Sequence, residues 1–306
     1  MRIGRMVWAT GTPEGFVADV ADAERAGFAA VWTPQVFGWD ALTLLALAAG
    51  ATERIELGTA VMPIYPRHPL ALAASALTTA AAADGRLTLG IGPSHRFIVE
   101  DIWGLTYDRP FSYTRDYLDA LLPALAGEPT DVATELVTAR TARPLDTPQA
   151  PEPPVLLAAM APRMLALAAA RCAGTITWLA GIGAIRDTIV PAITEAAAAA
   201  SRPAPRVVAG LPICVTDNPR RARDRAAQQF APYADVPAYR RVMAKDGATG
   251  PADVAVVGSA AEVADRLAEL AEAGATDLMA MPFGDPAEEA ATCEVLIGLA
   301  AEQSPA

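Results

Sequence analysis

The chain is poor in positive charge, and lysine is almost absent from it. Lys245 is the single lysine among 306 residues, so nearly all of the 24 basic residues are arginines, and they face 35 acidic residues. The formal charge of −11 argues against the basic surface that binding to nucleic acid requires. We therefore expect no nucleic-acid partner.

Cysteine and histidine are scarce as well. The three cysteines, Cys172, Cys214 and Cys293, show no C-x-x-C spacing, and a sparse odd set is typical of a reducing cytosol in which each thiol packs as a small apolar group. The two histidines, His68 and His95, lie far apart, and no Cys, His and Asp cluster has the spacing of metal ligands. We predict a cytoplasmic protein without a metal site.

Long apolar runs are missing too. The N-terminal stretch MRIGRMVWAT lacks the apolar centre of a signal peptide, and the run ALTLLALAAGA has about half the length that spans a bilayer. Hydrophobic residues nevertheless make up 53% of the chain, which is ample for a large buried core. We expect no contact with a membrane.

The sequence is rich in alternating strand and helix patterns. Eight short apolar runs, each followed by a helical pattern, cover residues 3–8, 28–33, 55–63, 87–92, 154–159, 175–180, 206–216 and 276–281. Nearly continuous apolar character is typical of parallel strands buried on both faces. Eight such units predict an α/β fold, a (β/α)8 TIM barrel, as a single domain over residues 1–306. A doubly wound sheet with a second domain is the alternative.

Two segments interrupt this regularity. Residues 93–154 form an excursion between the fourth and fifth strands, and the Pro- and Thr-rich part at 127–154 has no steady period. The stretch LTLGIGPSHR at 87–96 contains Gly-x-Gly, but Pro93 follows and the third glycine of a dinucleotide loop is missing. We interpret it as the fourth strand turning at the barrel mouth, with Gly90 and Gly92 leaving room for a flat ring.

Four stretches together, at residues 56–95, 157–181, 207–227 and 255–279, resemble the bacterial-luciferase-like oxidoreductases. The segments GTAVMPIYPRHPLALA and GIGPSH resemble most the actinobacterial branch that uses coenzyme F420, a deazaflavin. The resemblance implies a TIM barrel with the cofactor across its C-terminal mouth and a homodimer.

The resemblance also implies a set of cofactor contacts. A non-prolyl cis peptide is expected between Ala60 and Val61, where the backbone would press on the central ring of the cofactor. The start of the helix after strand 5 offers free N–H groups as a phosphate cradle. The implied cofactor-binding residues are Gln35, Ala60, Val61, Met62, Gly92, Pro93, Ser94, Ala159, Met160, Ala161, Arg163, Trp178, Leu179, Ala180 and Gly181.

His95 and Gln35 are the candidate catalytic residues. An imidazole titrates near neutral pH and can deliver the proton that accompanies a hydride transfer. Gln35 stands where relatives often carry an acidic residue; it can donate a hydrogen bond but cannot act as a general acid. The predicted substrate pocket consists of Trp8, Val36, Trp39, His95 and Trp178. His68 is expected to be structural, and Arg67 is either near an anionic cofactor or on the surface.

These residues favour an F420-dependent reductase that transfers hydride to a small unsaturated or imine-containing metabolite. Flavin-using relatives tend to have Ser or Thr hydroxyls after strand 5 and an arginine after strand 4. This chain has Met160 and Ala161 in the first place and Pro93, Ser94 and His95 in the second. Two alternatives stay open, namely an FMN-dependent monooxygenase and a non-catalytic cofactor-binding barrel.

Overall fold

In the computed structural model, residues 1–303 are described, and strands alternate with helices along the chain. The strands are β1 (Arg2–Met6), β2 (Ala30–Thr33), β3 (Glu56–Thr59), β4 (Met62–Pro63), β5 (Leu87–Gly92), β6 (Asp131–Ala133), β7 (Thr138–Arg140), β8 (Val155–Ala158), β9 (Gly174–Trp178), β10 (Arg206–Val215), β11 (Val256–Gly258) and β12 (Asp277–Pro282).

The helices between them are mostly of ordinary α type. They are α1 (Pro13–Arg25), α2 (Ala41–Ala49), α3 (Pro69–Ala82), α4 (Pro110–Leu125), α5 (Pro162–Arg171), α6 (Ile182–Ala184), α7 (Val190–Ala199), α8 (Pro219–Gln229), α9 (Ala231–Ala234), α10 (Pro237–Met243), α11 (Pro251–Val254), α12 (Ala260–Glu272) and α13 (Pro286–Gln303). Two π-helical segments, Ile98–Ile102 and Ile185–Ile189, and one 3-10 turn, Ala244–Asp246, complete them.

The large sheet has the strand order β11-β10-β12-β1-β2-β3-β5-β8-β9, and it closes because β9 also pairs with β10. β4 pairs with β5, while β6 and β7 form a separate sheet. The pairings of β5 with β3 and with β8 are parallel, as are those of β10 with β9 and with β12. This closed parallel sheet with its helices is the (β/α)8 barrel that the sequence predicted.

The residue contacts divide the chain into two compact units. The first contains Met1–Met6, Ala23–Val31 and the chain from Ala159 onward, and the second contains Val7–Asp22 and Trp32–Ala158. The first has fully buried core residues such as Val208 and Leu278, and the second has Trp32 and Leu57. That these units form one domain stays a prediction.

Local sequence signals explain where several helices begin. The predicted capping box of α12 is present: Glu262 N–H donates to Ser259 Oγ at 3.4 Å, and Ser259 N–H donates to Glu262 Oε2 at 2.8 Å. Thr12 Oγ1 accepts from the N–H of Gly15 at 3.1 Å and caps α1. Such caps satisfy N–H groups that the helix itself leaves unpaired.

The structure adds elements that the sequence reading missed. The excursion carries the antiparallel hairpin β6–β7, with Val132 opposite Ala139, where we expected no regular structure. β11 extends the sheet beside β10, with Cys214 opposite Val257, and it was not predicted either. These strands have three residues each, too few to show a period in the sequence.

One buried carboxylate in the first unit, on α13, forms hydrogen bonds with the residue after β10 and with α8. Glu288, 7% exposed, accepts hydrogen bonds from Thr216 Oγ1 at 2.8 Å, Arg221 Nη2 at 2.8 Å and Arg225 Nη1 at 2.5 Å. Burial alone would raise the pKa of Glu288, but these bonds and the one from Asp285 N–H hold it far below its usual range.

Within residues 1–303, no helix is both long enough and apolar enough to cross a bilayer. Likewise, that part of the chain brings no three His, Cys, Asp or Glu side chains together in a way that could hold a metal ion.

Candidate active site

Of the predicted site residues in the second unit, most lie on the loops that follow β1, β2, β4 and β5. These loops cover residues 7–12, 34–40, 64–68 and 93–109. Because neighbouring parallel strands end at the same edge of a sheet, these loops lie at its C-terminal edge, where barrels of this type place their chemistry.

His95 is held by the conformation of the residue before it. Ser94 has a positive φ of 61°, and its carbonyl accepts a hydrogen bond from the Tyr107 hydroxyl at 3.2 Å. The His95 ring then stacks on Phe97, with 6.1 Å between ring centroids and 5° between planes. Burial lowers the pKa of His95 below its usual value of 6.5, so the ring is neutral at neutral pH.

The positive charge next to His95 is already neutralised. Arg96 Nη1 donates to Glu100 Oε1 at 2.6 Å, and Arg96 Nη2 donates to the carbonyl of Tyr107 at 3.2 Å. The guanidinium carbon also lies 5.4 Å from the centroid of the Tyr107 ring. Tyr107 therefore fixes both flanks of His95, a role that the sequence reading missed because twelve positions separate the two residues in the chain.

The expected cis peptide between Ala60 and Val61 is present. A Cβ on Gly92 would lie 2.9 Å from Val61 Cγ2 and 2.9 Å from Ala158 Cβ. A Cβ on Gly90 would lie 2.0 Å from the carbonyl oxygen of Thr59. Protein atoms of β3 and β8 and of Val61 thus exclude a side chain at both glycines; that the glycines also leave room for a flat ring stays a prediction.

Gln35 uses its amide on the local backbone. Its Oε1 accepts from the N–H of Ala41 at 2.8 Å, and its Nε2 donates to the carbonyl of Val36 at 3.4 Å. The side chain therefore helps to hold the start of α2. Its assignment to the catalytic and cofactor-binding sets stays a prediction.

Arg67 and His68, on the loop after β4, have structural partners. Arg67 Nη2 donates to Asp40 Oδ2 at 2.6 Å, and Asp40 also accepts from Thr43 N–H at 2.9 Å as the N-cap of α2. His68 caps α3: its Nδ1 accepts from Leu70 N–H at 3.3 Å, and its Nε2 lies 2.9 Å from the carbonyl oxygen of Thr138. The structural prediction for His68 is confirmed.

A tyrosine cluster that was not foreseen joins two of these loops to α4. Tyr65 stacks on Tyr113, with 4.2 Å between centroids, and packs against Tyr107 at 5.1 Å. The hydroxyl of Tyr65 is buried and has no hydrogen-bond partner among the described residues. Burial raises the pKa of Tyr65, so this phenol stays protonated.

Apolar members of the predicted pocket are accessible in this unit. Trp8 is 37% exposed, Val36 45% and Trp39 51%. Met62, by contrast, is fully buried, and its predicted contact with a cofactor stays a prediction. The accessible residues can meet a ligand without any rearrangement.

In the first unit, the start of α5 is open. Ala161 is its N-cap and Pro162 its first residue, so neither provides a side-chain acceptor for the first N–H groups. Ala161 and Arg163 are exposed and Met160 is half-buried, while Ala159 is buried. A helix N-terminus without a side-chain cap favours an anion.

The end of β9 combines an aromatic wall with a buried turn. Trp178 packs edge-on against Phe230 at 6.1 Å and Tyr233 at 5.9 Å, and its buried indole N–H has no acceptor within residues 1–303. Leu179, at a φ of 56°, and Ala180 are fully buried. Their roles as cofactor contacts stay predictions.

Asp246 occupies the space beside Gly181. A Cβ on Gly181 would lie 2.6 Å from the Asp246 carboxylate carbon, and Asp246 Oδ1 accepts from Ala184 N–H at 3.1 Å. This helix start is therefore filled by a carboxylate of the protein and repels an anion. No local pattern could predict the role of Asp246, because it lies 62 positions from Ala184 in the chain.

Comparison with known proteins places these features in context. The luciferase-like monooxygenase family matches residues 2–277. A Mycobacterium tuberculosis protein that carries the provisional name coenzyme F420-dependent oxidoreductase is 33% identical over 193 residues, which cover 58% of this chain and 55% of that protein. The F420-dependent glucose-6-phosphate dehydrogenase of Beutenbergia cavernae is 34% identical over 204 residues, 62% of this chain and 60% of that enzyme.

The matched segments thus span little more than half the length of these two relatives. Among solved structures, an F420-dependent secondary alcohol dehydrogenase in complex with an F420-acetone adduct has a TM-score of 0.80. The superposition covers 96% of this chain and 97% of that one at 17% identity. At this identity the likeness shows the fold.

Proposed function

Because this chain belongs to the luciferase-like monooxygenase family, we propose that it is an oxidoreductase that binds coenzyme F420 and transfers a hydride to a small unsaturated or imine-containing metabolite. His95 carries this proposal, since it is a neutral, partly buried imidazole at the C-terminal end of β5. Among the loops after β1, β2, β4 and β5, it is the residue best suited to exchange a proton near neutral pH.

The residues present fit a deazaflavin with an anionic tail. The N-terminus of α5 has N–H groups without a side-chain cap, and the buried indole N–H of Trp178 lacks an acceptor among the described residues. We assign the phosphate to the backbone of Met160 and Ala161 with Arg163, and a polar edge of the ring to Trp178. When bound in its reduced form, the cofactor supplies the hydride.

The protein's own contribution is to position the imidazole that exchanges the proton. Tyr107 fixes the carbonyl of Ser94, and Phe97 stacks on the imidazole, so the ring of His95 has one preferred orientation. General acid catalysis by such a group contributes roughly 10²–10⁴-fold in rate. The homodimer and the cytoplasmic location expected from the sequence belong to the same proposal.

A fluorescence titration with F420 and with FMN tests the cofactor. We expect F420 to bind more tightly than FMN, and Arg163→Ala to weaken F420 binding by roughly fivefold to tenfold through loss of a charge-assisted contact. Arg171→Ala, at the other end of the same helix, is the matched control and is expected to bind normally. Tighter binding of FMN would favour the monooxygenase alternative.

The role of His95 is tested by turnover. With an acceptor found by following re-oxidation of reduced F420, His95→Ala is expected to bind F420 normally and to lose most of its rate. If imidazolium is the donor, the wild-type rate rises as the pH falls below the usual histidine pKa of 6.5, because burial lowers the pKa of His95. Full turnover by His95→Ala would exclude the acid role, and tight F420 binding without any turnover would favour a binding protein.

A further inference from the structure

The exposed large apolar side chains are concentrated in one part of the molecule. Over residues 1–303, eight such side chains are exposed, and all of them lie between residues 8 and 105. Seven belong to the loops that follow β1, β2 and β5, and we call them the apolar collar: Trp8, Val36, Phe37, Trp39, Phe97, Ile102 and Leu105. The eighth, Leu47, lies on α2.

Two loops of the collar are fastened to each other. Trp39 Nε1 donates to the carbonyl of Gly11 at 3.0 Å. A Cβ on Gly38 would lie 2.4 Å from the carbonyl oxygen of Ala9, so the two backbones are in direct contact there. Trp8, on one loop, and Phe37, 60% exposed on the other, therefore belong to a fixed apolar surface.

The collar also contacts the candidate proton donor. Phe97 is 47% exposed, and its ring lies parallel to the His95 imidazole with 6.1 Å between the ring centroids, so an apolar ring stands beside the imidazole. A molecule that reaches His95 from this side meets an aromatic side chain first. Burial of such surface is favourable for an apolar ligand and unfavourable for a charged one.

The cations near the collar are already paired. Arg67 is bound to Asp40 at 2.6 Å and Arg96 to Glu100 at 2.6 Å. A phosphate or carboxylate at the collar would have to break one of these ion pairs, and a carboxylate would then remain unpaired beside it. The loops consequently disfavour an anionic substrate.

We propose that the substrate is an uncharged, largely hydrophobic molecule whose apolar body lies on the collar while its reducible group reaches His95. This rests on the proposed function for the reaction itself. Exposed apolar patches of this kind mark ligand or protein contacts, and the continuity with His95 favours a ligand.

Nile red, an uncharged dye that fluoresces in apolar surroundings, tests the substrate class. We expect it to bind the F420-loaded protein at one site, and Phe37→Ser and Phe97→Ser to weaken it by roughly fivefold to tenfold each. Leu47→Ser, a change of the same kind at an exposed position outside the collar, is expected to leave the affinity unchanged. Glucose 6-phosphate at millimolar concentration is expected not to displace the dye.

Three results would overturn the proposal. They are absence of dye binding, an equal effect of Leu47→Ser, and displacement of the dye by glucose 6-phosphate. Size-exclusion chromatography of the same variants adds a fourth, because dissociation of an oligomer by Phe37→Ser would make the collar a contact between copies. The F420 titration separates the two proposals: normal F420 binding without dye binding rejects only the substrate class, whereas dye binding without F420 binding rejects the proposed function.

Discussion

Replacing Tyr65 by phenylalanine is expected to stabilise the protein although it removes a polar group. The Tyr65 side chain is 8% exposed, and its hydroxyl is buried without a hydrogen-bond partner in the described part of the chain. A buried hydroxyl that has lost its water and gained no partner costs about 1–3 kcal/mol. Phenylalanine keeps the ring and its stacking on Tyr113 and removes this cost.

Tyr117 is the matched control because the same substitution should have the opposite effect. Its hydroxyl donates to the carbonyl of Arg67 at 3.0 Å, and the side chain is fully buried. Tyr117→Phe deletes the bond and leaves a buried carbonyl with one partner fewer, which we expect to cost about 1 kcal/mol. The two variants should thus differ by about 2 kcal/mol in free energy of unfolding.

Urea unfolding followed by circular dichroism measures both values, and thermal melts give the same order. A change of 1 kcal/mol in a chain of this size corresponds to about 2 °C in Tm. Tyr65→Phe should melt above the wild type and Tyr117→Phe below it. If Tyr65→Phe is destabilised as much as Tyr117→Phe, the Tyr65 hydroxyl has a partner such as a bound water, and the reasoning fails.

Two further changes test the packing of the barrel and its buried charge. Gly90→Ala places a methyl group 2.0 Å from the carbonyl oxygen of Thr59 and should lower the free energy of unfolding by about 3 kcal/mol through overpacking. Gly298→Ala, in open space on α13, is the control and should raise it by up to about 1 kcal/mol. Equal effects of the two changes in urea unfolding would contradict this. Glu288→Gln should cost about 3 kcal/mol by breaking a buried charge network. The pKa of Glu288 is lower in the folded than in the unfolded protein, so its contribution to stability is full above the unfolded value of 4.5 and is lost as the pH falls. The stability of Glu288→Gln should therefore depend less on pH below 4.5 than that of the wild type. An equal pH dependence of the two proteins in that range would contradict the prediction.

Much of the barrel could be predicted because its strands are short apolar runs with clear boundaries. The bounds of the strand Leu87–Gly92 were predicted without error. The capping box of Ser259 and Glu262 indicates the start of α12 from the sequence alone. These signals depend on neighbours within a few positions, which a sequence shows directly.

The parts that could not be predicted depend on contacts between distant residues. Tyr107 holds Ser94 from across a loop, and Asp246 caps a helix start at Ala184. Nothing in the local pattern distinguishes these side chains from other surface residues. The packing that requires Gly90 and Gly92 was not predicted for the same reason, since the atoms that exclude a side chain there belong to other strands and to Val61.

The single lysine of the sequence lies next to Asp246, where a label can be attached. Lys245, the only lysine side chain in the sequence, is exposed in the turn Ala244–Asp246, directly beside the carboxylate that packs against Gly181. An amine-reactive fluorophore attached to this side chain would lie next to the β9 end of the proposed cofactor site, and the α-amino group of Met1 is the other amine that such a reagent labels. A change in the fluorescence of a label at Lys245 could therefore report cofactor binding without any engineered cysteine.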